Sequence, residues 1–363
     1  MSHGDEPTLV DGSVLEGGGQ ILRVAVVCSV VLGQPLRVIK IRAGRSKPGL
    51  SNQHLAGIQL SAELCNGSLS KCDLGSTELV LCPAAIKSGD FEADAKTAGS
   101  ISLLLQVALP ILTFANADSV LRLRGGTDAL FAPPIGYMDE IACHYFSKMG
   151  LDCKLEVIRR GFYPQGGGIV KAVIKHLAGP FSSIRLLDSG PVKCITGYAF
   201  VAGRVPVKVA HEMKQEAVNC CKTSFSHCPV EIEVFREDDQ RCVGNIATFM
   251  FVAHTENDCK LAVSGISAPR GPRHTKLVED AIAHLASLVN VGACCDDYMQ
   301  DQLILPMALA KGRSEIHSGP LTMHTKTAIH VVELMLHVKF QVTELENGAS
   351  IIACDGIGHV PCS

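Results

Sequence analysis

The sequence predicts a mixed α/β fold built from repeated units. Three observations support this prediction: helical and strand patterns alternate along the chain, a similar order of elements recurs three times, and residues 182–271 interrupt that order. Hydrophobic residues make up 47% of the 363 residues and charged residues 19%, which is typical of a folded chain with a substantial core. The length favours about two domains.

The first unit follows a short tail and a glycine-rich loop. Its elements are, in order, a helix at 21–32, a strand at 36–41, a helix at 51–65 and a strand at 78–82. Gly33 and Pro35 end the first helix, and Asn66-Gly67 ends the second.

The second and third units show a similar order. The second has helices at 98–112 and 134–148 and strands at 120–123, 155–158 and 169–174. We expect Pro110 to bend or end the first of these helices. The third has helices at 274–289, 297–310 and 324–337 and strands at 314–316, 338–342 and 350–354.

The interruption has its own pattern, in which strands at 193–201, 230–235, 247–253 and 260–263 surround one helix at 207–222. We interpret it as a smaller inserted α/β domain. The predicted domains are therefore a large one, 1–181 together with 272–363, and an inserted one, 182–271.

Charge and cysteine usage exclude several classes of protein. The net charge of −3 argues against tracking along a nucleic acid backbone, so any contact with nucleic acid should be confined to a local pocket, such as one that grips a chain end. The 16 cysteines include no C-x-x-C, which argues against a zinc ribbon. We see neither a leader pattern nor an apolar run approaching membrane length, and we expect an intracellular protein with reduced thiols.

His324 is the first candidate for chemistry. A Gly319-Pro320 turn precedes it, and Thr325 and Thr327 open the helix that follows. A histidine at a helix N-terminus is biased toward the neutral form, next to N–H groups that can receive a phosphate. Such an imidazole can attack phosphorus and form a phosphoramidate. The alternative, a histidine that only caps the helix, stays open from this segment alone.

A basic cluster is the second candidate. Arginines and a lysine lie close to the Gly17-Gly18-Gly19 run, and Gln53-His54 opens the next helix. The cluster consists of Arg23, Arg37, Arg42, Arg45 and Lys47. Glycines let backbone N–H groups approach an anion and arginine offers a planar fork for phosphate, although a solvated surface loop is the alternative.

The third candidate is a pocket face on the helix at 297–310. Tyr298, Asp301 and Gln302 are three or four residues apart and therefore share one face, which could line a pocket with an aromatic wall. The alternative is that acidic residues simply suit the start of a helix. No G-x-x-x-x-G-K-[ST] loop is present, so any ATP site must be of another kind.

Several motifs in this order resemble the RNA 3′-terminal phosphate cyclases. They are Glu16 to Arg23 with its three glycines, Ile41 to Arg45, Gln53-His54-Leu55, Thr97 to Ser100 with Gln106, Gly125 to Asp128, Ala132-Pro133, Gly161 to Pro164, Asp301-Gln302-Leu303 and the His324 segment. The likeness covers nearly the whole chain and is weakest at 182–271. It implies three repeated units of two helices on a four-stranded sheet, like a translation initiation factor C-terminal domain, plus the insert.

The resemblance also implies a reaction. The histidine takes AMP from ATP with Mg²⁺ or Mn²⁺, AMP passes to the RNA 3′-phosphate, and the 2′-hydroxyl closes a 2′,3′-cyclic phosphate. By position, it implies that His324 is the nucleophile and Glu16 is on the metal side. The implied ATP-binding residues are Gln106, Pro133, Tyr298, Asp301 and Gln302. Those implied for phosphate and the RNA end are Arg23, Arg42, Arg45, Gln53 and His54.

Two other hypotheses compete with the enzyme. A non-catalytic cyclase-like factor for ribosome assembly or RNA processing would lack the nucleophilic histidine, and an enolpyruvyl-transferase-like enzyme would not explain His324. His324 and the Arg42/Arg45 loop favour the cyclase. We expect the protein in the nucleus, with the cytosol as the alternative, and the sequence does not indicate an oligomeric state.

Overall fold

The computed structural model describes residues 6–268 and 271–360. The predicted mixed α/β fold is confirmed, as four small sheets packed with helices. Among the described residues, no helix has the length and apolar character needed to cross a membrane.

The first sheet is formed by the N-terminal unit. Its strands are β1 (Thr8–Asp11), β2 (Leu36–Ile39), β3 (Ser68–Ser70) and β4 (Leu79–Cys82), and its helices are α1 (Gly19–Leu32) and α2 (Asn52–Leu64). The strand order is β1-β2-β4-β3, with β1 and β2 parallel and the other pairs antiparallel. The four-residue β1 and three-residue β3 were not predicted, because such short segments carry little periodicity.

The second unit follows directly. Its strands are β5 (Asp90–Asp94), β6 (Ser119–Gly125), β7 (Cys153–Gly161) and β8 (Gly168–Ile174), and its helices are α3 (Ile101–Thr113), α4 (Ile135–Tyr137), a π-helical segment (Met138–Ala142) and α5 (Cys143–Lys148). Of the two outcomes expected at Pro110, an end of the helix is excluded, since α3 continues to Thr113; a bend stays a prediction. The edge strand β5 was missed because it is short: Phe91 and Ala93 alternate with acidic residues and pack against the core, but two apolar residues are a weak signal.

The third unit is completed by the C-terminal part of the chain. Its strands are β9 (Arg185–Leu186), β15 (Lys311–Ser318), β16 (Phe340–Glu344) and β17 (Ser350–Ile357), and its helices are α8 (Asp297–Gln302), α9 (Ile304–Leu309) and α10 (Met323–Leu336). The single helix predicted at 297–310 is divided at Leu303. Pro306 explains this division, because it lacks the N–H that would bond to the carbonyl of Gln302.

The fourth sheet lies within the predicted insert. Its strands are β10 (Val192–Ala202), β11 (Val230–Arg236), β13 (Ile246–Thr255) and β14 (Lys260–Ile266), and the helices packed with it are α6 (Lys208–Ser224) and α7 (His274–Asn290). A two-residue strand, β12 (Cys242–Val243), pairs instead with β7 of the second sheet.

Helix α7 differs from its predicted grouping. The sequence assigned it to the third unit, but Val278, Ile282 and Leu285 share a buried core with the fourth sheet and α6. Their spacing shows that the helix has one apolar face, and it does not specify which sheet covers that face. The predicted domain boundaries themselves stay a prediction.

Helix α1 occupies a central position in the large core. It contacts α2, α3 and α10, one from each of the three units. Its buried side chains include Ile21, Val26 and Val30, each at most 2% exposed. This packing brings the N-terminal ends of helices from distant parts of the sequence to a common region.

Candidate active site

The glycine run before α1 lets the backbone pass closely beneath two candidate residues. Gly17 has a φ of 59°, a left-handed conformation that glycine adopts without strain. A Cβ on Gly18 would lie 2.1 Å from Oε1 of Glu16, and one on Gly19 would lie 2.6 Å from Nε2 of His54. The absence of side chains here therefore allows Glu16 and His54 to lie directly against the start of α1.

Glu16 connects this loop to Arg45 and to α10. Its Oε1 forms an ion pair with Nη2 of Arg45, which also donates to the Glu16 carbonyl oxygen at 3.1 Å. The Glu16 N–H donates to Oγ1 of Thr327 at 3.3 Å. Oε2 of Glu16 is buried and has no hydrogen-bond partner among the described residues. That atom therefore has capacity to accept a further donor or to bind a cation.

His324 is the second residue of α10. Thr322 caps the helix, with its Oγ1 accepting the N–H of Thr325 at 3.1 Å. The side chain of His324 is exposed and points away from the buried face of α10 that Thr325 and Thr327 share. The structure therefore confirms that His324 lies at a helix N-terminus.

The surroundings of His324 favour its neutral form. Although His324 is exposed, neighbouring groups displace part of the water around its ring, and this desolvation lowers its pKa. Glu16 acts in the opposite direction, and the positive charges of Arg23 and Arg45 lower the pKa further. Because an unperturbed histidine titrates near pH 6.5, the imidazole is largely neutral at pH 7 and its free nitrogen can act as a nucleophile.

Gln300 holds the segment that carries this histidine, and sequence reasoning missed it. Its side chain is 1% exposed. Nε2 donates to Oγ of Ser318 at 2.9 Å and to the carbonyl of Pro320 at 3.2 Å. Oε1 accepts the N–H of Thr322 at 2.9 Å and the hydroxyl of Thr325 at 2.6 Å. The sequence did not indicate this role for Gln300. Its hydrogen-bond partners lie about 20 residues later in the chain, and no local pattern connects them to it.

His54 faces the same region from α2. Its Nδ1 lies 2.8 Å from Oγ of Ser51 and accepts the Ser51 N–H at 3.3 Å. Burial lowers the pKa of His54 to about 4, with Arg42 and Arg23 contributing in the same direction. The ring is thus neutral with Nδ1 as acceptor, which places its proton on Nε2, the atom that faces Gly19.

Arg42 and Gln53 fix the loops on either side. Nη1 of Arg42 donates to the carbonyl of Gly49 at 2.7 Å, which closes the basic loop. Nε2 of Gln53 donates to the carbonyl of Ser100, the N-cap residue of α3, at 3.1 Å. The start of α3 is thereby held against the start of α2.

Several of these groups, but neither His324 nor Gln300, line a cleft of about 970 Å³. One wall is polar, and the other is formed by 98–100 and by the apolar loop 129–132. The predicted residues that line it are Glu16, Arg42, Arg45, Gln53 and His54. The N-termini of α1, α2 and α3 all border this space, and Glu16 joins it to the start of α10. Free N–H groups and helix dipoles make such a convergence favourable for anions.

A second cavity, of about 490 Å³, lies beside Arg23. Nε2 of Gln20 donates to Oδ2 of Asp301 at 2.9 Å, and Arg23 donates to Oε1 of Gln20. Burial raises the pKa of Asp301 to about 7, and the charge of Arg23 opposes that rise. The other predicted residues that line this cavity are Gln106 and Gln302.

Tyr298 lines a different, neighbouring cavity of about 410 Å³ together with 129–132 and Pro134. Residues 248 and 264–266 of the fourth sheet form its other side. Pro133 is buried beside this cavity without lining it. The residues predicted to bind ATP are therefore divided between two cavities, and Gln302 connects them by donating to the carbonyl of Tyr298 at 2.8 Å.

A sequence model of one protein family matches residues 14–342, and its description is RNA 3′-terminal phosphate cyclase. That range is most of the chain and includes every residue predicted for the site. The chain therefore belongs to the RNA 3′-terminal phosphate cyclase family, a family of ligase-type enzymes.

Individual relatives agree with this assignment. The chain is 39% identical over 351 residues to the RNA 3′-terminal phosphate cyclase of Drosophila melanogaster, covering 97% of each chain. It is 38% identical to the probable RNA 3′-terminal phosphate cyclase of Dictyostelium discoideum, over 97% of this chain and 83% of the relative. It is 38% identical to the RNA 3′-terminal phosphate cyclase of Caldivirga maquilingensis, over 92% of this chain and 93% of the relative.

Replacing Gln300 should loosen the His324 segment. We expect Gln300→Leu to lower the free energy of unfolding by about 2–4 kcal/mol, because it leaves buried donors and acceptors unpaired. Hydrogen exchange at the amides of Thr322 and Thr325 should be faster. Denaturant unfolding and exchange measured by NMR test this.

The matched control is Gln215→Leu, since Gln215 is exposed on α6 and its side chain bonds, among the described residues, only to Asn219. Its effect on stability should stay within about 0.5 kcal/mol. Equal stability of both variants would show that Gln300 does not hold the segment.

Proposed function

We propose that this protein uses ATP to convert the 3′-terminal phosphate of RNA to a 2′,3′-cyclic phosphodiester, with His324 as the nucleophile that carries AMP. The observation that carries the proposal is geometric: His324 lies at the N-terminus of α10, and the bond from the Glu16 N–H to Thr327 joins that helix to the loop in which Glu16 pairs with Arg45. Family membership supports the overall activity.

The proposed reaction has three steps. A nitrogen of His324 attacks the α-phosphorus of ATP, a P–N bond forms and pyrophosphate leaves. An oxygen of the RNA 3′-phosphate then attacks the same phosphorus, the P–N bond breaks and RNA-(3′)pp(5′)A forms. Finally the 2′-hydroxyl attacks the RNA phosphorus, loses its proton to solvent and expels AMP. Adenylylation supplies the leaving group, and proximity of the 2′-hydroxyl lowers the barrier to ring closure.

The cleft suits the phosphates of both substrates. Arg42 and Arg45 supply positive charge, and Nε2–H of His54 and the amides at the starts of α1 to α3 supply uncharged donors. Such preorganised donors stabilise the charge that develops as pyrophosphate leaves. We propose that Arg23, Arg42, Arg45, Gln53 and His54 bind these phosphate groups.

The adenylate is proposed to lie along α8. Asp301, Gln302 and Gln106 offer polar groups in one cavity, and Tyr298 offers an aromatic ring in the next, which Pro133 does not itself line. Oε1 of Gln302 is buried without a hydrogen-bond partner among the described residues, so it can accept a donor such as the exocyclic amine of adenine.

A divalent cation fits beside Glu16. The described residues contain no group of three or more His, Cys, Asp or Glu side chains arranged to hold a metal. Magnesium, however, is commonly held by one or two carboxylates together with substrate phosphates. The unpartnered Oε2 of Glu16 is suited to that role. A bound Mg²⁺ would neutralise charge on the triphosphate. Nuclear residence stays a prediction from the sequence.

The nucleophile can be identified by labelling. Incubation with α-labelled ATP and magnesium should leave an acid-labile, alkali-stable label on the protein. His324→Asn and His324→Ala should abolish it while circular dichroism and the melting temperature stay near those of the native protein.

The control is His330→Asn, an exposed histidine on the same helix, which should label normally. Label that persists in both His324 variants would assign the nucleophile elsewhere. A native protein that never takes label would favour the non-catalytic alternative.

Titration of the free protein tests the electrostatics of His324. Its NMR ring signal, assigned by its loss in His324→Asn, should titrate below pH 6.5, because burial and the two arginines disfavour the charged form. Arg45→Ala removes one of these causes and should move the midpoint to higher pH. A midpoint above 6.5 in the native protein would contradict the proposed neutral nucleophile.

Arg45 should contribute to binding of the 3′-terminal phosphate and contribute little to binding of the rest of the RNA. We expect Arg45→Ala to weaken binding of a 3′-phosphorylated oligonucleotide about 10- to 100-fold, as for loss of a charge-assisted hydrogen bond. Binding of the 3′-hydroxyl form should change little, and no variant should cyclise it. Fluorescence anisotropy measures both affinities.

The control is Arg37→Ala. Arg37 belongs to the same basic cluster in the sequence, but in the structure its Nε donates to Glu78 at 2.7 Å, and it does not line the cleft. It should bind both oligonucleotides like the native protein. A similar loss for the 3′-hydroxyl form in Arg45→Ala would mean that Arg45 contacts the chain rather than its terminal phosphate.

A further inference from the structure

Phe131 is exposed to an unusual degree for a phenylalanine. Its side chain is 98% exposed, and Leu130 beside it is 54% exposed. Large apolar side chains in such exposed positions often mark binding sites when they border a cleft. Phe131 also has a φ of 64°, a left-handed conformation that is strained for a bulky residue. At Phe131 the chain thus combines an unfavourable backbone conformation with an unfavourable exposure of an apolar side chain.

The loop that carries Phe131 is firmly anchored. The N–H of Thr127 donates to the carbonyl of Gly161 at 2.9 Å, and the N–H of Ile135 donates to the carbonyl of Thr127 at 2.8 Å. The buried carboxylate of Asp128 accepts the Thr127 hydroxyl at 2.8 Å and lies 3.4 Å from Nη1 of Arg160. The exposure of the ring is therefore a consequence of a defined loop rather than of a frayed one.

Phe131 borders the candidate active site. It lines the cleft that contains Arg42, Arg45 and His54, and it also lines the adjoining cavity of Tyr298. The cleft therefore has cationic groups on one wall and an exposed aromatic ring on the other. Proteins that bind single-stranded nucleic acid combine these same features, with arginine for the phosphates and an aromatic side chain on which a base stacks.

We propose that Phe131 stacks on the base of the terminal nucleotide of the RNA 3′ end. This inference rests on the proposed function for its substrate. An RNA end must enter from solvent and the rest of the strand must leave again, so its base meets the cleft at an exposed rim, where the Phe131 ring lies. ATP is instead expected to be enclosed, with polar groups such as those of Gln106 and Asp301. Stacking does not distinguish among bases, so Phe131 would accept any terminal nucleotide.

The test compares two 3′-phosphorylated oligonucleotides that differ only in whether the terminal nucleotide carries a base. We expect Phe131→Ala to weaken binding of the intact oligonucleotide about 5- to 100-fold, the range reported for loss of one base–aromatic stack. On the oligonucleotide without the terminal base, Phe131→Ala and the native protein should bind within about twofold of each other, because no stack is available to lose.

Further variants separate stacking from stability. Phe131→Trp should retain affinity for the intact oligonucleotide, since any large aromatic ring provides a stacking surface. Phe131→Gly should lose affinity like the alanine variant while melting no lower than the native protein, because glycine relieves the left-handed strain. The control is Ile357→Ala, which removes an exposed apolar side chain, 45% exposed, from β17. It should bind both oligonucleotides normally.

Two results would overturn the inference. One is equal affinity of Phe131→Ala and the native protein for the intact oligonucleotide; slower labelling of that variant by ATP alone would then assign the ring to adenine. The other is an equal loss of affinity by Phe131→Ala for both oligonucleotides, which would show that the ring does not contact the terminal base. Because binding is measured without ATP, the inference is tested even if the native protein takes no label, an outcome that would contradict the proposed function only.

Discussion

The structure depends above all on the packing of α1 against one helix from each unit. Because α2, α3 and α10 all contact α1, their N-terminal ends come together around the Glu16 loop. Unpaired N–H groups and partial positive charges are thereby concentrated in one region. Such a region favours the binding of anions, so this property of the cleft follows from the way the helices pack.

Buried polar contacts then fix the individual side chains. Gln300 bonds to both ends of the turn before α10, and the Glu16 N–H bonds to Thr327 inside that helix. Because each of these buried groups would be costly to leave unpaired, the contacts specify one arrangement of His324 relative to Glu16 and Arg45. His324, the proposed nucleophile, is thus positioned in part by Gln300, which takes no part in the proposed chemistry.

Most of the fold could be predicted from the pattern of the sequence. The helices of the three units and the strands of the insert were recognised because their apolar residues recur at regular spacing. The strands that were missed, such as β1, β5 and β12, are short or polar and gain their place only by pairing with a neighbour. Helix α7 was assigned to the third unit, but it packs against the fourth sheet, because an apolar face does not specify which sheet covers it.

The sequence by itself determined the chemical groups of the site. The glycines before α1, the arginines of the basic loop and a histidine at a helix start are local features, and family resemblance connected them to one reaction. Tertiary structure alone decided how they meet. Arg37 lies outside the cleft, and Tyr298 and Asp301 line different cavities. The sequence also did not indicate that Gln300 holds the segment before α10 or that Phe131 lines the cleft. The physical reason is that periodicity records which side of an element is buried, whereas proximity between distant residues is set by how the elements pack.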